Sequence, residues 1–137
     1  MQTTHAIFGI EPQLPLEEFR QLLIDSGLGL RRPVDDAVRL QQMISSASLI
    51  ITARQDGVLV GVARSVSDFS FCCYLSDLAV SRDAQRQGLG EQLISETRLR
   101  VGPQVNVILS AVPEAVAFYE RIGMPRLNDC FWYRRES

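Results

Sequence analysis

The chain of 137 residues carries 14 Lys and Arg against 16 Asp and Glu, a net charge of −2, and 46% of its residues are hydrophobic. At this size and hydrophobic content we expect one domain with a sizeable buried core. The acidic balance disfavours a nonspecific attraction to nucleic acid or to anionic membranes, and no long apolar stretch predicts a membrane helix or a signal peptide.

Cysteine and histidine usage indicates neither a disulfide framework nor a metal site. Cys72 and Cys73 fall in a predicted strand, where their side chains point to opposite faces, and Cys130 is far along the chain. His5 stands alone and no C-x-x-C pair is present, so we predict no metal. A reducing cytoplasm is the expected location.

Hydrophobic periodicity and turn residues predict the elements of the first half of the chain. They are a strand at residues 5–10, a helix from Leu16 that stops at Gly27, a linker at 27–33, a helix through Ala37, Leu40 and Ile44, and strands at 49–54, 58–65 and 71–80. The strands at 49–54 and 58–65 are separated by Gln55-Asp56-Gly57, a hairpin signal.

The second half predicts a helix at residues 89–101, a buried strand at 105–109, a helix from Pro113 to Gly123, and a last hairpin formed by residues 126–127 and 131–134. This order of elements predicts a single α/β (α+β) domain over residues 1–137. Its mixed central sheet would have about six or seven strands, with helices on both faces.

The most informative stretch is residues 83–91, between the strand ending at Val80 and the helix starting at Leu89. The first N–H groups of a helix have no intrahelical partner, and the helix dipole adds roughly half a positive charge there. Gly88 and Gly90 remove side chains that would keep a phosphate from the backbone. The stretch therefore predicts a phosphate site.

The spacing of this loop excludes the common phosphate motifs. A P-loop continues with Lys, but Gly90 is followed by Glu91, and the third glycine of the dinucleotide fingerprint is absent. The pattern Gln85-x-x-Gly88-x-Gly90 resembles the Q/R-x-x-G-x-G/A signature of the GNAT superfamily of N-acetyltransferases. For the loop alone, a plain glycine turn before a helix is the alternative interpretation.

Two further stretches extend the resemblance. Residues 117–124 resemble the downstream A-x-x-F-Y-E-x-x-G-F element of the same superfamily, in the expected order. Residues 59–68 and 131–133 are similar to small cyanobacterial and plant-plastid members, which include enzymes associated with arylalkylamine and protein-lysine acetylation. The resemblance implies a GNAT fold over the chain.

The resemblance also implies acetyl-coenzyme A (acetyl-CoA) as co-substrate, without a metal. Its pantetheine would lie along Leu78, Ala79 and Val80, with Phe118 packed beside it. Tyr119 would be the general acid that protonates the leaving thiolate, and the Val80 backbone N–H would polarise the carbonyl. The residues expected around the pyrophosphate are Gln85, Arg86, Gln87, Gly88, Leu89, Gly90 and Glu91.

The general base is where this chain departs from its relatives. Several of them carry a glutamate at the position of Tyr74 or Ser76. We expect Tyr74 and Ser76 to lie near the acceptor, where either could relay a proton through water. Asp77 is the nearby acid, but strand alternation predicts that it faces away from both residues. It could serve as a partner for a backbone N–H or as the base. Glu114 replaces an asparagine that usually holds the pantetheine.

These features predict an N-acetyltransferase that acts on a primary amine by direct attack in a ternary complex. The acceptor could be a polyamine, an arylalkylamine, an amino sugar or a lysine side chain. The alternative is a CoA-binding module with little catalysis, used in sensing or assembly. Aromatic residues 131–133 on a terminal strand predict a homodimer.

Overall fold

Five strands make one mixed sheet in the part of the chain that the computed structural model describes, residues 5–137. In sequence order and in sheet order they are β1 (Ile7–Ile10), β2 (Leu49–Gln55), β3 (Val58–Ser67), β4 (Cys72–Val80) and β5 (Asn106–Ile108). The strands from β1 to β4 are antiparallel neighbours, and β5 runs parallel to β4.

Helices cover both faces of this sheet, as the sequence predicts. They are α1 (Leu16–Ser26), α2 (Ala37–Ser45), α3 (Leu89–Val101) and α4 (Val116–Arg121), with short 3-10 turns at Leu28–Arg31, Arg82–Ala84 and Pro113–Ala115. On one face, α1 and α2 bury Phe19, Leu23 and Leu40 against the sheet. On the other, α3 buries Leu89 and Leu93, so the α/β class is confirmed.

A β-bulge at Ser76 changes which side chains of β4 share a face. Arg64 of β3 pairs with Asp77, whereas the next residue of β3, Ser65, pairs with Leu75. The extra residue reverses the alternation, so that Asp77 lies on the α1–α2 side, the same side as Tyr74. The prediction that Asp77 faces away from Tyr74 is therefore wrong.

β4 and β5 separate after a short parallel contact. The three residues of β5 pair with Cys72, Cys73 and Tyr74, and the pairing ends there. From Leu75 to Val80 the outer edge of β4 has no strand partner within residues 5–137. A strand edge whose backbone groups have no partner strand therefore opens beside α3 and α4.

The predicted C-terminal hairpin does not form, which lowers the strand count to five. Residues 124–137 contain no strand, and the aromatic side chains of residues 131–133 are exposed. The two-residue arm at 126–127 is too short to stabilise a hairpin by itself, and no neighbouring strand supports it. The aromatic run thus reflects strand propensity without a partner.

Cys72 is exposed and Cys73 is buried, and these two and Cys130 are free thiols in the described part of the chain. None of the helices within residues 5–137 is long and apolar enough to cross a membrane. No group of His, Cys, Asp and Glu in this part of the chain is arranged to hold a metal ion.

Candidate active site

The gap beside β4 is part of a cleft with a volume of about 920 Å³. Its walls are the end of β4, the start of α3, the 28–31 turn and the segment that carries α4. The residues that line it include Arg31, Leu78, Ala79, Val80, Arg82, Gln85, Arg86, Gly88, Leu89, Gly90, Glu91, Glu114, Phe118, Tyr119 and Arg121. The cleft collects ten of the eleven residues predicted to bind the cofactor.

The loop before α3 leaves backbone donors directed at this cleft. Its first helical hydrogen bond runs from the Gln92 N–H to the Gly88 carbonyl, so the N–H groups of residues 89–91 precede the helical ladder. Gly88 has φ +79° and Arg86 has φ +67°, a conformation that is uncommon for a residue with a side chain. Such strain tends to occur at functional sites.

Glycine is required at positions 88 and 90 of the loop for two different structural reasons. A Cβ at Gly88 would meet nothing within 4 Å, so the positive φ is what requires glycine there. A Cβ at Gly90 would lie 3.0 Å from the Phe118 ring. Gly90 thus allows α4 to pack directly onto the loop, a reason that the sequence pattern does not reveal.

Gln87 is the predicted cofactor residue that does not line the cleft. Its side-chain oxygen accepts a 2.8 Å hydrogen bond from the Gln55 amide at the end of β2. Gln85, by contrast, lines the cleft and donates to the Val80 carbonyl at 3.0 Å. Gln87 therefore attaches the loop to the sheet, and Gln85 ties the loop to β4.

The Val80 amide faces the gap between β4 and β5. The N–H of the next residue, Ser81, donates to the Val60 carbonyl on the β3 side at 2.9 Å. Because successive N–H groups of a strand point to opposite edges, the Val80 N–H points away from β3. A hydrogen-bond donor therefore lies at the free edge, as the predicted role of Val80 requires.

Tyr119 lies on α4, within the cleft and partly buried. Burial raises the pKa of its phenol to about 12, so the hydroxyl keeps its proton at neutral pH. Its ring packs edge-to-face on Phe118, with centroids 4.9 Å apart. Burial alone shifts this pKa, with no contribution from a hydrogen bond to another group within residues 5–137.

Asp77 is fully buried between two arginines and does not line the cleft. Arg32 Nε donates to Oδ1 at 2.5 Å, and Arg64 Nε donates to Oδ2. Arg64 also binds the Ser76 hydroxyl at 3.0 Å, and Tyr74 is half exposed outside the cleft. The geometry therefore favours Asp77 as an ion-pair partner rather than a base, and it leaves Ser76 and Tyr74 away from the cleft.

The cleft contains arginines that the sequence analysis missed. Arg82 packs against Gly27, and the Arg121 guanidinium lies 5.9 Å from the Phe118 ring centroid. With Arg31 and Arg86 they make four lining arginines against two glutamates, although the whole chain is acidic. A local positive charge of this kind favours an anionic ligand.

The site thus combines a mixed sheet that opens beside a glycine loop with a tyrosine-bearing helix on the other side of the gap, the arrangement that the sequence predicts for an acetyltransferase. Residues 29–130 match the acetyltransferase (GNAT) domain. The chain therefore belongs to the GNAT acetyltransferase family, which confirms the predicted family and enzyme class.

Named relatives agree with this assignment. The uncharacterised N-acetyltransferase ycf52 of Gracilaria tenuistipitata var. liui is 31% identical over 118 residues, which cover 81% of this chain and 65% of that protein. The ycf52 protein of Pyropia yezoensis is 32% identical over 130 residues, covering 88% of this chain and 72% of the relative. The match to the Gracilaria protein thus spans slightly less than two thirds of its length.

Solved structures share the fold. A GNAT-family acetyltransferase of Streptococcus pneumoniae, SP0256, has a TM-score of 0.72 and 26% identity over 96% of this chain and 99% of that one. The aminoglycoside N-acetyltransferase AAC(6')-Iy, solved in complex with CoA, has a TM-score of 0.72 at 17% identity. Its alignment covers 99% of this chain and 98% of that one.

Proposed function

We propose that this protein transfers the acetyl group of acetyl-CoA to a primary amine, either a small molecule or a lysine side chain. The observation that carries the proposal is one continuous cleft containing the free amides at the start of α3, the open edge of β4 and Tyr119. These are a phosphate site, a strand edge for an extended chain, and a proton donor.

The cleft residues fit coenzyme A as a ligand. The amides of residues 89–91 would receive the pyrophosphate, and Arg86 would add a charge-assisted contact. The edge formed by Leu78, Ala79 and Val80 offers backbone groups to the amides of a pantetheine arm. The structural neighbour AAC(6')-Iy is itself a CoA complex, which supports the same ligand class here.

Each reacting step then has a group in the cleft. Acetyl-CoA, when bound, supplies a thioester that an amine can attack. The Val80 N–H would donate to the carbonyl oxygen, where negative charge develops. Tyr119 would pass its proton to the departing sulfur; the raised pKa keeps the phenol protonated before the reaction and also makes it a weaker acid. Because Asp77 is enclosed by arginines, we propose that the amine reaches the cleft neutral or loses its proton to solvent before attack. The proton that the nitrogen then loses on becoming an amide also passes to solvent, which returns a proton to the Tyr119 phenolate.

A CoA-binding module with little catalysis is the second candidate. It is favoured by the absence of an accessible carboxylate on β4 and by Glu114, which is paired with Arg31 at 2.9 Å. Such a module would need the phosphate loop and the β4 edge but not the Tyr119 hydroxyl. Catalysis therefore separates the two candidates.

We also propose that the protein works in a reducing compartment such as the cytoplasm. Its three cysteines are unpaired, and burial raises the pKa of the Cys73 thiol, which makes that thiol less reactive.

A panel of amines tests the proposal. The protein is incubated with acetyl-CoA and, separately, a polyamine, an arylalkylamine, an amino sugar and a lysine peptide, while free thiol is measured. We expect amine-dependent thiol release and a rise in Tm with CoA, since a ligand at a hundredfold excess over its Kd adds about 2.7 kcal/mol. A Tm rise with no thiol release for any amine would favour the binding module, and no Tm rise would contradict both.

A further inference from the structure

Two consecutive arginines leave the 28–31 turn in opposite directions. This turn follows α1 and forms one wall of the cleft, and the Leu30 and Arg32 amides donate to the Gly27 and Gly29 carbonyls at 3.4 Å. These bonds are long and the turn is only four residues. The packing of Leu28 on the α1–α2 core and the contacts of Arg31 and Arg32 therefore fix its position.

Arg32 points into the protein and anchors the turn to β4. Its Nε donates to Asp77, and its Nη2 donates to the Ser76 carbonyl at 2.8 Å. Asp77 is 0% exposed, and its second oxygen is taken by Arg64, which in turn reaches the Met43 carbonyl of α2. A buried carboxylate bound by two guanidinium groups holds its partners firmly, because releasing either one leaves a charge unpaired.

Arg31 points the other way, across the cleft. Its Nη2 lies 2.9 Å from Glu114 Oε1, between residues 83 positions apart in the sequence. Glu114 belongs to the Pro113–Ala115 turn, which leads directly into α4 and Tyr119. The Arg31–Glu114 ion pair, here named the strap, thus joins the two walls of the cleft.

We propose that Arg31 and Glu114 are positioning residues that close the cleft over bound coenzyme, with Asp77 acting through Arg32 as the anchor of the strap. The inference rests on the proposed function, because the retained ligand is the coenzyme. The strap gives Glu114 a role of its own. The partners are 43% and 69% exposed, so we expect effects of about two- to fivefold.

Charge reversal tests the strap in two readouts. Hydrogen exchange of residues 28–32 is measured in the unliganded protein, and dissociation of a fluorescent coenzyme A is measured by displacement. The variants are Arg31→Glu, Glu114→Arg and the double variant that swaps the charges. We expect both single variants to exchange and release ligand about two- to fivefold faster, and the double variant to approach wild type.

The two single variants also separate the strap from general electrostatics. An effect of charge on the ligand phosphates alone would slow release in Glu114→Arg and speed it in Arg31→Glu, whereas the strap predicts faster release in both. Glu17→Arg is the matched control, since it changes the charge equally in an exposed ion pair with Arg20 on α1. It should leave both readouts unchanged.

The anchor is tested with Arg32→Lys, which keeps the charge but cannot make both the Asp77 and Ser76 contacts in the same geometry. We expect faster exchange of residues 28–32 in this folded variant. Unchanged exchange in both strap variants, or a double variant no better than the singles, would overturn the inference. Failure of every variant and the wild type to bind coenzyme A would refute the proposed function instead, while hydrogen exchange would still decide the strap.

Discussion

Tyr119 is partly buried in the cleft and no hydrogen bond to another group shifts its pKa, so removing the hydroxyl should change the structure little. We expect Tyr119→Phe to lower turnover about a hundredfold or more, the usual size of a general-acid contribution. Stability should change by less than about 1 kcal/mol, and CoA affinity should be retained. Steady-state kinetics, chemical unfolding and CoA titration measure the three quantities.

Tyr133→Phe is the control for this substitution, because Tyr133 is fully exposed outside the cleft. It should keep wild-type turnover. If Tyr119→Phe acetylates its best amine at the wild-type rate, with chemistry limiting, the phenol is a packing residue. The thiolate then takes its proton from solvent or from another group.

Gly88 allows the charge of the phosphate loop to be tested without a change of shape. Gly88→Asp and Gly88→Asn are close in size, both residue types tolerate the positive φ of this position, and neither Cβ meets a neighbour. We expect Gly88→Asp to abolish CoA binding, because its carboxylate repels the pyrophosphate, and Gly88→Asn to weaken binding much less. Equal affinities, measured by calorimetry on folded proteins, would place the phosphates elsewhere.

At the scale of elements, the tip of the β3–β4 hairpin depends on one ionised side chain. Asp68 Oδ1 accepts hydrogen bonds from the N–H groups of Phe71, Ser70 and Cys72 at 2.8–3.1 Å. These bonds, that of Phe71 foremost, lower the pKa of Asp68 from 3.8 to about 2. Since the folded pKa is depressed, the stabilisation is present above pH 3.8 and is lost as the pH falls through about 2.

We therefore expect the hairpin tip to remain ordered from neutral pH down to about pH 3. NMR titration of the amides of residues 70–72 should show a transition near pH 2, and Asp68→Asn should remove that transition. A midpoint at the ordinary aspartate pKa would show that these hydrogen bonds do not persist in solution.

At the scale of the whole molecule, the chain exposes aromatic surface in its last residues. Phe131, Trp132 and Tyr133 are 90%, 67% and 105% exposed, and β5 has no strand on its outer side within residues 5–137. Association that buries such surface is stabilising, and for this reason we predict a homodimer. Sedimentation should show a dimer that Trp132→Ser weakens, and a concentration-independent monomer would contradict it.

Local patterns in the sequence were sufficient to predict most helices and strands and the central residues of the candidate site. The helical stripe from Leu89, the hairpin at residues 55–57 and the loop around Gly88 each depend on neighbours within a few positions. Turn chemistry, helix periodicity and free N-terminal amides act over that same distance. Together with the family resemblance, they predicted eleven cofactor residues, ten of which the fold brings to one cleft with Tyr119.

Tertiary structure decided whatever depends on register or on distant partners. The bulge at Ser76 moved Asp77 to the side of two arginines, and the contacts of Arg32 and Arg31 span 45 and 83 positions. Residues 28–31, which the sequence predicts as part of a linker, thereby form a wall of the cleft. The C-terminal aromatic run has strand propensity, but a strand exists only where another strand supplies hydrogen bonds, and that depends on the fold rather than on the run itself.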